Sequence, residues 1–196
     1  MADRRITRRM TGPEPNRTTA ARATSIAELL QHECSILLEL YRKKEGFTSD
    51  LPVGDGRLVS VPPLSSQLDS RDKLWRVHSA LLQCRSLMER SIIKEDEEFG
   101  TDIGEYESQR NMVKDRLSLL LANTAELKAI DGTVVLSPML EVNATTNVFD
   151  LKIWIYRIFK ELDHWTKTAI TVLQALSSVT PKERARRVRS TRSTRR

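Results

Sequence analysis

Apolar residues recur along the chain in four stretches with the period of an α-helix. In the first stretch, Ser25 followed by Glu28 forms a capping-box pattern that predicts a helix start, and Gly46 predicts its end. The spacing therefore predicts a first helix over about residues 25–45. Its apolar face consists of Ile26, Leu29, Leu30, Ile36, Leu37, Leu40 and Tyr41.

The next two stretches predict the second and third helices. The second helix begins near Ser66 or Ser70 and fades in the acidic segment 94–104; the third runs from about Gly104 to Ile130. The stripe of the second helix consists of Leu74, Val77, Leu81, Cys84 and Met88. That of the third consists of Tyr106, Val113, Leu117, Leu120, Thr124 and Leu127.

The fourth stretch, residues 147–176, is rich in aromatic residues and predicts a helix with Asn147 as its N-cap. Asp150 lies near the positive end of the helix dipole. One continuous stripe of this helix is predicted to face the core, with Trp154 at its edge. The stripe consists of Leu151, Ile155, Ile158, Leu162, Trp165, Ala169, Val172 and Leu176.

Phe149, Ile153 and Tyr156 lie off this stripe, on the opposite face and beside Lys152. Farther along the helix the same face is charged, so only its first two turns are apolar. The first interpretation is a binding hot spot, in which apolar anchors and a cation are presented at the end of a rigid helix. In the second interpretation, the preceding loop folds over these residues with its apolar segment 134–139.

The links between the four predicted helices are long, short and long. A short link makes consecutive helices antiparallel, whereas a link of fifteen to twenty residues can return the chain parallel to the previous helix. The pattern predicts an all-α protein: a long-chain four-helix bundle with up-up-down-down topology and two long crossover loops. The predicted domain spans residues 25–180, between basic disordered tails at 1–24 and 181–196.

The charge is concentrated in these two tails. The chain carries a net +6, of which the tails account for +4 and +7, so that about −5 is left for the body. An Arg-rich tail can bind nucleic acid, heparin-like polymers or an anionic membrane surface, or can simply be solvated. The tail has no interleaved aromatic residues for base stacking, so binding of nucleic acid or anionic polymers is the alternative function, and not the first.

No catalytic, cofactor or metal site is predicted. His32, His78 and His164 lie on different helices without ligand spacing and are interpreted as exposed or capping residues; the acids at 95–98 are interpreted as solvated. Cys34 and Cys84 fit no metal spacing and are predicted to be free, partly buried thiols. The sequence gives no reason to expect an enzyme or a small-molecule substrate.

The chain shows neither an ordinary secretory signal nor an apolar run long enough to span a membrane. The N-terminal segment is rich in Arg and Thr, a composition also found in transit peptides, but its "GPEP" argues against an amphipathic helix there. Glycosylation sequons at Asn16 and Asn143 matter only if the chain enters the secretory path.

Short sequences in the first and fourth helices resemble a known family. "FDLKIW" and "KELDHWT" in the fourth helix, "LYRKKEG" at the end of the first and "DGRLVSV" in the long loop are similar to the ciliary neurotrophic factor group of long-chain helical cytokines. The resemblance covers about residues 26–179. The family pattern Phe-x-x-Lys falls on Phe149 and Lys152. A cardiotrophin-like or fish-type member of the group is a further alternative.

The resemblance implies a neurotrophic cytokine. Phe149 and Lys152, with Ile153 and Tyr156 beside them, would contact a receptor chain of the leukaemia inhibitory factor receptor type. The outer faces of the first and third helices would contact the family's common signalling chain. A non-signalling alpha receptor would bind the first long loop and the end of the fourth helix, and the protein would be made in the cytoplasm and released without a signal peptide. "PPLSSQLDS" lacks the Trp that the family has near the end of this loop, and the Arg-rich tail lies outside the family pattern.

Overall fold

The computed structural model describes residues 15–48, 57–100, 104–129 and 147–178. The described residues form four helices and contain no strand, which confirms the predicted all-α class. None of these helices is both long and apolar enough to cross a membrane. Their bounds are α1 Pro15–Glu45, α2 Ser70–Phe99, α3 Glu105–Ala129 and α4 Val148–Ser178.

The helix ends follow local signals in the sequence. Asn147 Oδ1 accepts a hydrogen bond from Phe149 N at 2.9 Å, which confirms the predicted N-cap of α4. Asp69 Oδ1 caps α2 in the same way, through Asp72 N at 2.7 Å. α1 ends before Gly46, whose φ of 65° lies in the left-handed region that glycine adopts without steric cost.

The predicted start of α1 is wrong, because the helix begins at Pro15 and not near Ser25. Ala20 and Ala23 are buried and continue the apolar face toward the N-terminus with the small side chains of alanine. Ser25 lies inside the helix and donates to the carbonyl of Ala21 at 3.3 Å. Residues 15–24 therefore belong to a helix and not to a tail.

Each helix contacts two others: α1 and α2 each pack against both α3 and α4. The hydrogen bonds between neighbouring helices pair the start of one with the end of the other, so these neighbours run antiparallel. The pairs are Arg22–Glu126 and Lys44–Glu107 for α1 and α3, Glu28–Gln174 and Tyr41–Lys152 for α1 and α4, and His78–Thr124 and Glu95–Tyr106 for α2 and α3.

The core sits between the four helices and contains the predicted stripes. Every stripe residue predicted for α2 and α3 is buried, as is every one predicted for α4 except the half-buried Leu176. In α1, Leu30, Leu37 and Tyr41 are buried, but Leu29 is 50% exposed and does not belong to the core face.

The described part of the first link packs along the bundle. Val59 and Val61 are buried in the core cluster, and Ser60 N between them donates to Gln83 Oε1 on α2 at 2.9 Å. Two buried valines flank an exposed serine here, and the chain bends at residues 58, 59 and 61. The link therefore adds apolar contacts to the bundle as well as connecting α1 to α2.

Candidate functional site

One end of the bundle combines the last turns of α1 and α2 with the first turns of α3 and α4. We call it the Phe149 end. Contacts of Lys44 on α1 with Glu95 on α2 and Glu107 on α3 hold three of these helix ends together, and Lys152 joins α4 to them through Glu45. All four predicted site residues lie in the first turns of α4, at or next to this end.

Phe149 is 56% exposed, as predicted. Val148 beside it and Phe99 at the end of α2 are also large, exposed apolar residues. We call these three residues the aromatic patch. Ile153 is half-buried and lies at the margin of the exposed surface. Phe99 could not be identified from the sequence, because periodicity along one helix gives no information on the end of another.

Lys152 connects three helices through its ammonium group. Its Nζ forms an ion pair with Glu45 Oε2 on α1 and lies over the ring of Phe99 on α2, 5.3 Å from the ring centroid. The side chain of Glu45 is only 6% exposed, so this pair is largely shielded from water. The backbone carbonyl of Lys152 also accepts a hydrogen bond from Tyr41 Oη at 3.2 Å.

The expectation that Tyr156 is exposed is wrong: it is only 5% exposed. The ring of Phe47, just beyond α1, covers it at a centroid distance of 5.7 Å and an interplanar angle of 67°. Phe47 is held there by its N–H, which donates to the carbonyl of Arg42 at 2.9 Å, and by a second edge contact with Tyr41. The alternative cover, segment 134–139, lies outside the described residues.

Glu95 is the centre of a buried polar network beneath the patch. Its side chain is 4% exposed and accepts hydrogen bonds from Arg110 NH1 at 2.6 Å, Tyr106 Oη at 2.8 Å and Lys44 Nζ at 3.2 Å. The interpretation of residues 95–98 as solvated is therefore wrong for Glu95. Its partners come from α1 and α3, so only the tertiary arrangement reveals that it is buried.

The network changes the protonation equilibria of its members. Burial raises the pKa of Tyr106, and the nearby charge of Glu95 raises it further. Burial alone would lower the pKa of Lys44 and raise that of Glu107. Hydrogen bonds and charges of Glu107 and Glu95 outweigh burial at Lys44, so its pKa is raised. The hydrogen bond and charge of Lys44, a backbone hydrogen bond and the charge of Arg110 outweigh burial at Glu107, so its pKa is lowered.

These shifts predict a pH dependence of stability. A carboxyl whose pKa is lower in the folded state stabilises the fold above its unfolded value of 4.5, and this stabilisation is lost as the pH falls through the folded pKa. We expect the free energy of unfolding to decrease below about pH 4.5. The decrease should be less steep in Lys44→Met, because this variant lacks the cation whose hydrogen bond lowers the pKa of Glu107. Urea unfolding between about pH 3 and pH 7 measures both slopes. Equal slopes in the two proteins would contradict this assignment.

A second exposed apolar surface lies along the outer side of α1 and α3. Leu29, Met112 and Leu119 are each about half exposed. The ion pair between Glu33 Oε1 and Arg116 NH2, at 2.8 Å, crosses from α1 to α3 one turn from Leu29 and one turn from Leu119. Because the two helices are antiparallel, Leu29 and Leu119 lie at the same level of the bundle.

The histidines and cysteines form no shared site. His78 is buried with Nδ1 2.8 Å from Thr124 Oγ1, so its interpretation as exposed is wrong, whereas His32 and His164 are exposed. Cys34 and Cys84 are free and buried, and burial raises the pKa of both thiols. Among the described residues, no group of three His, Cys, Asp or Glu side chains could hold a metal ion.

No protein-family model matches the chain, and no curated protein matches it significantly.

Proposed function

We propose that the protein is a neurotrophic helical cytokine that brings cell-surface receptor chains together and so activates intracellular signalling. The observation that carries this proposal is the exposed Phe149 on the first turn of α4, beside Lys152 and Phe99. Large aromatic groups exposed at the end of a rigid helix are typical binding hot spots. The resemblance of this segment to the ciliary neurotrophic factor group names the partner, a chain of the leukaemia inhibitory factor receptor type.

The proposal includes the up-up-down-down topology of this cytokine group. In that topology every pair of adjacent helices is antiparallel, and the first helix lies beside the third and fourth. The antiparallel packing of α1 with α3 and α4, and of α2 with α3, supports it. The two connections that would run the length of the bundle are the links between α1 and α2 and between α3 and α4.

A cytokine that assembles receptors needs at least two separate surfaces. The aromatic patch lies at the Phe149 end, whereas Leu29, Met112 and Leu119 lie on the long side of α1 and α3. We assign the patch to the receptor chain named above and the α1–α3 side to the family's common signalling chain. Because the two surfaces are on different parts of a rigid bundle, both chains can bind at once.

Two further parts of the proposal come from the resemblance alone, and a third comes from the charge of the Arg-rich tail. An alpha receptor would bind the first long loop and the end of α4, and the protein would be made in the cytoplasm and released without a signal peptide. The Arg-rich tail would bind heparin-like polymers outside the cell without contributing to signalling.

The alternative function, binding of nucleic acid or anionic polymers, has one observation in its favour: the Arg-rich segment 181–196. A truncation after Ser178 separates it from the cytokine proposal, because α4 is kept whole. We expect full-length and truncated proteins to activate a reporter equally in cells with the leukaemia inhibitory factor receptor chain and the common chain, and not in cells lacking the first chain. No signal from the truncated protein, in its folded state by circular dichroism, would favour the alternative.

A further inference from the structure

We propose that the partner surface at the Phe149 end is an apolar pocket framed by basic side chains, which Phe99 and Phe149 enter together. This inference rests on the proposed function, since it describes the partner of the same surface. It adds a second anchor on another helix, and it assigns the charge of the partner from the charges of this chain.

The shared pocket follows from the position of Lys152. Its Nζ lies over the ring of Phe99, and Phe149 is three residues before it on the same helix, so one lysine separates the two aromatic groups. Both rings are exposed to a similar extent, and Val148 extends the apolar surface. A partner that covers Phe149 therefore also contacts Phe99.

The charge of the partner is not set by Lys152. Its ammonium group already neutralises Glu45, whose carboxylate is shielded from water and would be left unpaired if the lysine turned to a partner. The exposed charged residues that adjoin Phe99 and Phe149 along the chain are instead negative. Glu97 and Glu98 directly precede Phe99, and Asp150 directly follows Phe149. Complementarity therefore favours a partner with basic side chains around its pocket.

The stability of α2 does not account for Glu97 and Glu98. Negative charges in the last turn of a helix lie at the negative end of its dipole and are unfavourable. The last turn of α1 follows the rule with Arg42, Lys43 and Lys44, whereas that of α2 contains no basic residue. A partner with basic side chains would offset the charge of these exposed acids.

The test compares binding of purified variants to the extracellular region of the leukaemia inhibitory factor receptor chain by surface plasmon resonance. The rim variant is Glu97→Lys/Glu98→Lys. Its control is Glu28→Lys/Asp115→Lys, the same change of charge at two exposed acids away from the patch. Association is measured at about 0.05 M and about 0.5 M salt, where screening of exposed charges is weak and strong respectively.

We expect the rim variant to associate at least about tenfold more slowly than wild type in low salt, with the difference lost in high salt. The control should associate as wild type. The rim variant should also unfold at the same or a higher temperature than wild type, because lysine suits the end of a helix. A defect in folding would instead lower both the association rate and the unfolding temperature of the rim variant.

Two results would overturn the inference while leaving the proposed function standing. The first is an association rate of the rim variant equal to or above that of wild type in low salt. The second is a dissociation rate of Phe99→Ala equal to that of wild type, while Phe149→Ala dissociates faster. A folded wild type that does not bind the receptor chain, or that binds it equally well after Phe149→Ala, would overturn the proposed function itself.

Discussion

Phe149→Ala is expected to weaken receptor-dependent signalling by about thirtyfold or more, which corresponds to the loss of at least about 2 kcal/mol of binding free energy at a hot spot. The free energy of unfolding should change by less than about 0.5 kcal/mol, because the side chain is mostly exposed and makes little contribution to the core. A dose–response curve in the reporter cells measures the first quantity, and urea unfolding measures the second.

Ile93→Ala is the matched control for this variant. Ile93 is also a large apolar residue, more than half exposed, but it lies on α2 six residues before Phe99 and on a different side of that helix. Removing it should leave both signalling and stability unchanged. If both variants lost activity equally, the effect would reflect surface hydrophobicity in general and not the patch.

Lys152→Ala needs a separate measure of folding. The substitution removes the cation that pairs with the buried Glu45, which we expect to cost about 1–3 kcal/mol of stability. Signalling must therefore be compared at concentrations of folded protein determined by circular dichroism. On that basis Phe149→Ala/Lys152→Ala should not signal. A folded double variant with wild-type activity would refute the role of this surface.

The sequence predicted the helices and their core stripes well because both depend on local spacing. In α4, the residues from Leu151 to Val172 that recur at steps of three and four are buried, and the cap at Asn147 forms as expected. These features follow from the 3.6-residue period and from the chemistry of an asparagine before a helix. Neither requires knowledge of the other helices.

Tyr156 and Glu95 show where local spacing stops being informative. Tyr156 is off the predicted core stripe of α4 and is nevertheless buried, with the ring of Phe47, just beyond α1, packed against it. Glu95 lies in a run of acids that resembles a solvated segment, yet Arg110, Tyr106 and Lys44 converge on it from two other helices. Both cases depend on which elements meet at the Phe149 end.

The same limit applies to the candidate site. Phe149 and Lys152 could be singled out from one helix, since an apolar residue and a cation on the outer face of α4 are visible in its periodicity. The ion pair of Lys152 with Glu45 and the position of Lys152 over Phe99 could not be predicted from one helix. These two partners belong to α1 and α2. The structure thus changes the interpretation of Lys152 from a free cation to one held within the molecule.

Arg110→Ala is expected to have the largest effect on stability, a loss of about 3–5 kcal/mol, because it leaves a buried carboxylate without its closest cation. The Arg110 side chain is 4% exposed, and its NH1 donates to Glu95 Oε2 at 2.6 Å. Most globular domains have only about 5–15 kcal/mol of stability in total. Chemical denaturation of wild type and variant measures the loss.

Arg85→Ala provides the comparison within the same protein. Arg85 forms an ion pair with Glu89 at 2.9 Å, but both side chains are more than 40% exposed, and the pair lies along one helix. Its removal should cost no more than about 0.5 kcal/mol. A similar loss in Arg85→Ala and Arg110→Ala would show that burial of the Glu95 network contributes little.

A double-mutant cycle with Glu95→Gln distinguishes the ion pair from the space that Arg110 fills. If Arg110 stabilises the fold by pairing with Glu95, then Arg110→Ala should cost less once residue 95 is neutral, and the two losses should fail to add by about 0.5–3 kcal/mol. If Arg110 acts through packing against Tyr106, whose ring centroid is 5.5 Å from the guanidinium carbon, the losses should add. Additive losses would therefore assign the stabilisation to packing and exclude the buried charge pair as its cause.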